Sequence, residues 1–367
     1  MKILYISSKK GWGGVASWMI KTARELQQRG HSIWILSHPE SKINAEFPAD
    51  LYLIPHKLGF EYNPMSIAFI AKLINRLRIQ LIVTNLEKEV AIGGFAARIA
   101  GIPNIRRIGR EDDFNTSFKN RWNHKKFVFA NIVPCDAVKH GAKRRAPWLN
   151  TDNFKTIYNG RNPAEFGVDE IKKQRDSWGI TESDLVIGFT GQLLKVKQVD
   201  QLLECFTVLK QKHKNLKLVI CGTGKEEDNL KQLTVDLKIE QDVIFAGFTN
   251  NPLLAAAAYD IAVLNSRLEG FPNTVVEYFA ARKPVVSTNV GGVSEIIEDG
   301  KNGFLVQLNK KGEMIEKIET LIEDKSLRNK FSQNSLETLM TKFTETIMVD
   351  ELEKYFHEQI KRHVKLH

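Results

Sequence analysis

The stretch from Leu264 to Glu295 constrains the fold more than any other part of the chain. The preceding run D-I-A-V-L-N-S is apolar and ends in small polar residues, as a buried strand does on reaching the carboxyl edge of a parallel sheet. A sharp loop then carries Glu269 and Gly270, Pro272 opens a helix, K-P-V-V-S forms a second strand, and V-G-G-V-S-E makes a second glycine turn ending at Glu295. A strand, a crossover helix and another strand place helices on the faces of a parallel sheet, which leaves few architectures open. Proline has no N–H to leave unpaired in a first helical turn, whereas the amides of Asn273 and Thr274 are expected to be unpaired donors, an anion site at a helix N-terminus. Glu277 follows five residues after Pro272, about 7.5 Å along the axis, so the two acids flank the helix start.

The same grammar recurs along the 367 residues. Leu185 to Gly191 is an apolar strand ending in glycine, followed by Gln192, Lys195 and Lys197 and a helical pattern; Leu216 to Gly222 and Asp242 to Phe248 are two more strands with glycine turns. At the start, M-K-I-L-Y-I-S-S is a short strand, G11-W-G-G14 a glycine loop, Val15 to Arg29 a helix by spacing, and H-S-I-W-I-L a second strand. The loop lacks the G-x-G-x-x-G of dinucleotide binding, which argues against a nicotinamide enzyme. Strands alternating with helices throughout predict an α/β protein with parallel sheets, and the length predicts two domains.

Acidic pairs eight apart arise by chance roughly five times in such a composition, so spacing alone identifies nothing. In its context of strands and glycines, however, the Glu269–Glu277 stretch resembles the C-terminal signature of glycosyltransferase family 4, retaining enzymes of GT-B fold. The resemblance implies two Rossmann-like doubly wound domains facing across a cleft: residues 1–160 on the acceptor side, joined by a C-terminal crossover helix at about 346–367, and 161–345 binding the donor. The hinge is expected at N-G-R-N-P-A-E-F-G, from Asn159 on. Apolar spacing through Ile347, Leu352, Tyr355, Phe356 and Ile360 predicts the last helix.

By that resemblance Glu277 holds the ribose of a nucleotide, whose vicinal diol suits a carboxylate that accepts two hydrogen bonds. Glu269 lies by the donor sugar and, with Lys197, carries the catalytic role. Gly191, Gln192 and Lys197 match the diphosphate loop, with Gly270, Phe271, Asn273 and Thr274 at the helix start, and Gly13 and Gly14 closing from the first domain. Gly222, Gly247 and Phe248 match loops lining the base; on residue type alone they are equally turn glycines and a core aromatic. Two departures stand out. Gln192 replaces the usual Arg, leaving Lys195 or Arg161 to compensate the diphosphate, and no His occurs between Ile102 and Arg110, where Arg106, Arg107 and Arg110 suggest an anionic acceptor instead.

The resemblance implies retaining transfer of a sugar from a nucleotide-diphosphate donor, UDP-linked by family frequency, to a glycan or lipid-linked acceptor of the cell envelope. No metal and no further cofactor are expected; E-D-D at 111–113 reads as a solvated loop. Two alternatives differ in chemistry: a GT-B nucleotide-sugar epimerase, and an inactive nucleotide-sugar or membrane-binding protein.

The net charge of +10 is concentrated: from Arg98 to Arg145 there are 12 Lys and Arg against 4 Asp and Glu, a balance of +8. Within it F-K-N-R-W-N-H-K-K-F-V-F, residues 118–129, interleaves aromatics with cations. That composition suits a helix lying on anionic lipid and equally a solvated basic face over a core held by Phe127 and Phe129. No nucleic-acid motif accompanies it. The apolar start is too short for a signal peptide core, no run is long enough to span a bilayer, and Cys135, Cys205 and Cys221 are isolated. Together these predict a cytoplasmic protein with reduced thiols, in reach of the inner face of the membrane.

Overall fold

The computed structural model describes residues 1–11, 13–45, 51–114 and 116–366, so Trp12 of the first glycine loop lies outside the described residues. The chain divides into two compact units, Met1–Asn159 with Thr346–His367, and Gly160–Glu345.

In the first unit, β1 (Lys2–Ser7), β2 (Ser32–Ser37), β3 (Tyr52–Pro55), β4 (Leu81–Thr84), β5 (Asn104–Arg107), β6 (Ala130–Val133) and β7 (Phe154–Thr156) make one sheet in the order β3-β2-β1-β4-β5-β6-β7. Every pairing is parallel. Alternate side chains of β1 serve opposite faces: Ile3 and Tyr5 join a cluster with Trp18, Met19 and Leu26, while Leu4 and Ile6 join Ile70, Ile74 and Ile82. A strand covered on both faces has no polar side to show, which is why I-L-Y-I is continuously apolar.

The helix Glu345–Leu366 is last in sequence yet buries Met348, Val349, Leu352, Tyr355 and Phe356 in the first of those clusters. Ile347, expected on the buried stripe, is only partly covered; the face is rotated toward Met348 and Val349. Arg29 and His31 hold the same helix through Glu353, at 3.0 and 2.8 Å.

The helix Phe118–Phe127 is inside out. It buries Asn120, Asn123 and His124 along with Phe127, and it exposes Phe118 (83%) and Trp122 (42%) among its cations. Of the core expected there, Phe127 is buried and Phe129 partly so. His124 packs against Phe114 and Trp148, and burial beside Arg106 pushes its pKa down to about 3.

In the second unit, β8 (Leu185–Thr190), β9 (Leu216–Cys221), β10 (Val243–Gly247), β11 (Ile261–Leu264), β12 (Val285–Thr288) and β13 (Gly303–Val306) run parallel in the order β10-β9-β8-β11-β12-β13. Both sheets are therefore of the α/β, doubly wound kind expected from the alternating pattern. The strand order reverses between β8 and β11, and ligands of open α/β sheets bind at the carboxyl ends of strands flanking such a reversal. Cys135, Cys205 and Cys221 are all buried, and among the described residues no helix is long and apolar enough to cross a membrane.

Candidate active site

The loops that leave β8 and β11 at the reversal carry the residues the sequence singled out. After β11, Asn265 and Ser266 stay buried because the loop is tied on both sides. The Asn265 amide donates to the Gln198 carbonyl at 3.0 Å, Arg267 N–H to the Val196 carbonyl at 2.7 Å, and Thr288 Oγ1 to the Ser266 carbonyl at 2.6 Å. The first two bonds lock the loop after β11 to residues 195–198 after β8, and the third ties it to the end of β12.

That lock brings two charges together. Lys197 Nζ donates to Glu269 Oε1 at 2.6 Å, with the side chains only 19% and 12% exposed. An ion pair so far from water is costly unless well paired, and losing one partner strands the other. Gln192 and Lys195 are exposed, and neither pairs with Glu269 among the described residues.

The second glycine turn holds the Glu269 loop from the other side. Gly292 N–H donates to the Gly270 carbonyl at 2.8 Å, and Gly291 sits at φ +56° with space for no side chain: a Cβ there would lie 2.1 Å from the Glu269 carbonyl oxygen. Gly222 meets a similar demand, at φ +140° with a Cβ position 1.8 Å from the Gly191 carbonyl oxygen, and its N–H donates to the Gly247 carbonyl at 2.7 Å. The three glycines at the ends of β8, β9 and β10 thus pack backbone on backbone. Phe248, next in the chain, is 75% exposed and is no core aromatic.

The helix Asn273–Ala280 starts one residue later than the sequence suggested, with Pro272 as its cap. This corrects the expected pair of unpaired amides: Asn273 N–H donates to the Phe271 carbonyl at 3.0 Å, closing a tight turn, while the Thr274 amide has no acceptor among the described residues. The Phe271 ring is buried against Phe343, so only its backbone faces the loop. Tyr278 fixes the helix to the sheet by accepting the Thr190 amide at 2.8 Å, and burial raises its phenol well above the usual range.

Glu277 has a partner the sequence did not assign to it. Arg161 donates to Glu277 Oε1 through both Nε, at 3.0 Å, and Nη2, at 2.8 Å. Arg161 had been a candidate for neutralising the diphosphate; the structure puts it on the second acid instead. Its backbone is held as well, since Arg161 N–H donates to the Phe343 carbonyl at 2.8 Å and Gly160 packs against the Thr344 carbonyl too closely for a Cβ.

In the first unit the arginine trio separates, which corrects its common assignment to an acceptor. Arg106 is fully buried, bonded to Glu87 at 2.9 Å and the Asp113 carbonyl at 3.1 Å, with its guanidinium over the Phe114 ring. Arg107 lies under the Trp18 ring with its pKa lowered to about 10 by burial. Arg110 alone is exposed, paired with Asp112. Gly13 and Gly14 open the helix Gly14–Gln28, and a Cβ on Gly13 would meet nothing. Sequence reasoning missed Glu89, which is buried and accepts from the Ser8 amide and hydroxyl and from the Asn85 and Leu86 amides, at 2.7 to 3.0 Å. It ties the carboxyl ends of β1 and β4 together. Its only sequence signal is an acid two residues after another, Glu87, in a helix start.

Two clusters of the described residues bring three metal-capable atoms close together, His31 with Glu353 and His357, and His213 with Glu319 and Glu323; neither includes Glu269 or Glu277.

Comparison with known proteins agrees with this architecture. The family model for glycosyl transferases group 1 matches residues 170–338, and that for glycosyltransferase family 4 matches residues 12–165. An uncharacterized glycosyltransferase of Haemophilus influenzae is 36% identical over 88% of this chain and 90% of its own length. The capsular polysaccharide biosynthesis glycosyltransferase CapM of Staphylococcus aureus is 28% identical over 55% of this chain and 54% of its own. The chain spans about half the length of other curated relatives too. The crystal structure of HepE from Anabaena in complex with UDP superposes with a TM-score of 0.84 over 98% of this chain and all of that one, at 22% identity, which speaks to fold alone. With both units matched and a relative aligned over nearly its whole length, the chain belongs to the group 1 glycosyltransferases of family 4, with the GT-B fold.

Proposed function

We propose that this protein transfers a sugar from a nucleotide-diphosphate donor, with UDP the favoured nucleotide, to a glycan or lipid-linked acceptor of the cell envelope, with retention of anomeric configuration and without a metal. The observation that carries the reading is the Lys197–Glu269 pair, locked at the sheet reversal beside the helix whose Thr274 amide lacks an acceptor among the described residues. CapM, named for capsular polysaccharide biosynthesis, and HepE, solved with UDP, support the acceptor and donor classes.

In this mechanism the diphosphate sits at the start of the helix Asn273–Ala280, where the Thr274 amide and the helix dipole face it and Lys197 supplies a positive charge. The bond from the anomeric carbon to the diphosphate oxygen breaks, and the acceptor hydroxyl attacks from the same face. The departing phosphate oxygen takes the hydroxyl proton, so no protein nucleophile is needed. Glu269 orients the sugar and offsets positive charge at the anomeric carbon, while Lys197 offsets the growing negative charge on the leaving group. Glu277 accepts from the ribose diol through Oε2, since Arg161 occupies Oε1. Gly191, Gly222, Gly247 and Phe248 contribute backbone or ring surface around the donor, and Arg110, the exposed member of the arginine trio, serves an anionic acceptor. The enzyme works on the cytoplasmic side, with Phe118, Trp122 and the neighbouring cations against anionic lipid.

Incubation with labelled UDP-sugars and envelope glycan acceptors tests this. A glycosylated product with the donor's anomeric configuration, formed equally in chelator, supports the reading. An epimerised donor without acceptor product, an inverted linkage, or binding with no turnover contradicts it.

A further inference from the structure

A cavity of about 460 Å³ opens at the other edge of the first sheet, where β5 begins at Asn104 and the chain enters β6 at Phe129. It is remote in the fold from the carboxyl edge that carries the glycine loop. Arg98, Lys125, Lys126 and His363 line it over a wall containing Phe127 and Phe129, and no carboxylate lines it among the described residues. Elsewhere in the same basic window cations find acids, Lys119 with Glu61 and Arg144 with Glu111. Arg98, Lys125 and Lys126 make no ion pair among the described residues; Arg98 reaches only the Lys126 carbonyl, at 3.2 Å. Cations at helix C-termini offset the macrodipole, which accounts for each one singly. It does not account for their convergence on one cavity without an acid.

The chain next to these lining residues has a second property. Ile99, beside Arg98 in the chain, is 61% exposed, and Val364, beside His363, is 72% exposed. Trp122 packs edge-on against Phe127 at 5.2 Å with its own ring partly in solvent. Cations without an acid in a pocket, with exposed apolar side chains next to them in the chain, fit one kind of partner, an amphiphile whose charge is negative and whose body is apolar. We infer that this pocket receives the phosphate headgroup of an anionic lipid while Phe118, Trp122, Ile99 and Val364 enter the interface. The volume suits a small headgroup. The inference sharpens the membrane part of the proposed function and is independent of the donor site.

The test is flotation of the full chain with phosphatidylcholine vesicles, with and without phosphatidate. The parent is expected to bind the phosphatidate vesicles. Substituting Arg98→Gln, Lys125→Gln and Lys126→Gln together should weaken that binding about 100-fold, since each cation near an anionic surface contributes roughly fivefold. Hydrolysis or transfer of a UDP-sugar in solution should be unchanged in that variant. A charge-matched control, Lys325→Gln, Lys330→Gln and Lys342→Gln on another exposed helix, should bind like the parent. Equal losses in the two triple variants, or none in the first, would overturn the pocket. Binding of soluble glycerol phosphate as tight as that of vesicles would overturn the lipid as its source. An inert parent toward every UDP-sugar would sink the transferase reading while leaving the vesicle result readable.

Discussion

Arg161 places two N–H groups on a single oxygen of Glu277, and Glu277 Oε2 carries no protein hydrogen bond among the described residues. A bidentate arginine usually spans both oxygens of a carboxylate. Holding one oxygen fixes the direction of the other, so the arginine sets where Glu277 can accept a ribose hydroxyl. Glu277→Ala should weaken UDP binding, and Arg161→Ala should weaken it less, with Arg161→Lys intermediate. In a double-mutant cycle the two should couple by about 1 kcal/mol or more, as residues in one hydrogen-bonded unit do. Additive losses, read by calorimetry, would separate Arg161 from the site.

Lys197→Ala and Glu269→Ala should each lower kcat by about 10² to 10³, the usual cost of removing one group that acts on transition-state charge. Thermal unfolding monitored alongside separates this from collapse of the loop. Normal turnover in either variant would remove that residue from the chemistry.

Much of this was legible in the sequence because parallel strands buried on both faces are uniformly apolar. Ile261–Leu264 announces itself in this way, and the glycine turns between strands and helices mark the sheet edge. What escaped depends on contacts distant in sequence. The Arg161–Glu277 pair joins residues 116 apart, and the four bonds to Glu89 come from two different strand ends. The helix Phe118–Phe127 defeated periodicity for a different reason. Its buried face is made of Asn120, Asn123 and His124, so an apolar stripe is not what packs inward. Arg106, assigned with Arg107 and Arg110 to an anionic acceptor on its charge, lies in a strand, fully buried, with its planar cation stacked on Phe114.

Gly291→Ala should damage the donor site without touching any charge. The added methyl would collide with the Glu269 carbonyl at a backbone conformation that costs a non-glycine residue about 1–3 kcal/mol. The expected outcome is lower stability together with weaker UDP binding. Unchanged values for both would show that the two loops do not depend on each other.

His124 supplies a pH dependence. Its pKa is about 3 in the folded chain against an ordinary 6.5, so between those values the unfolded chain binds the extra proton. Stability is complete above pH 6.5 and is lost as pH falls toward 3, by roughly 2–3 kcal/mol at pH 4.5. His124→Gln, which cannot titrate, should be less stable than the parent at pH 7.5 and should lose this difference, or reverse it, at pH 4.5. A constant gap across that range would contradict the burial of a neutral imidazole beside Arg106.

The central claim is that the loop from Leu268 to Thr274 and the helix it opens hold the diphosphate of an activated sugar. Calorimetric titration with UDP and with uridine, on the parent and on Lys197→Ala, tests it most directly. The parent should bind UDP far more tightly than uridine, and Lys197→Ala should lose that preference while still binding uridine as the parent does. Equal affinity of the parent for UDP and uridine, or a preference for UDP untouched by the loss of Lys197, would contradict it.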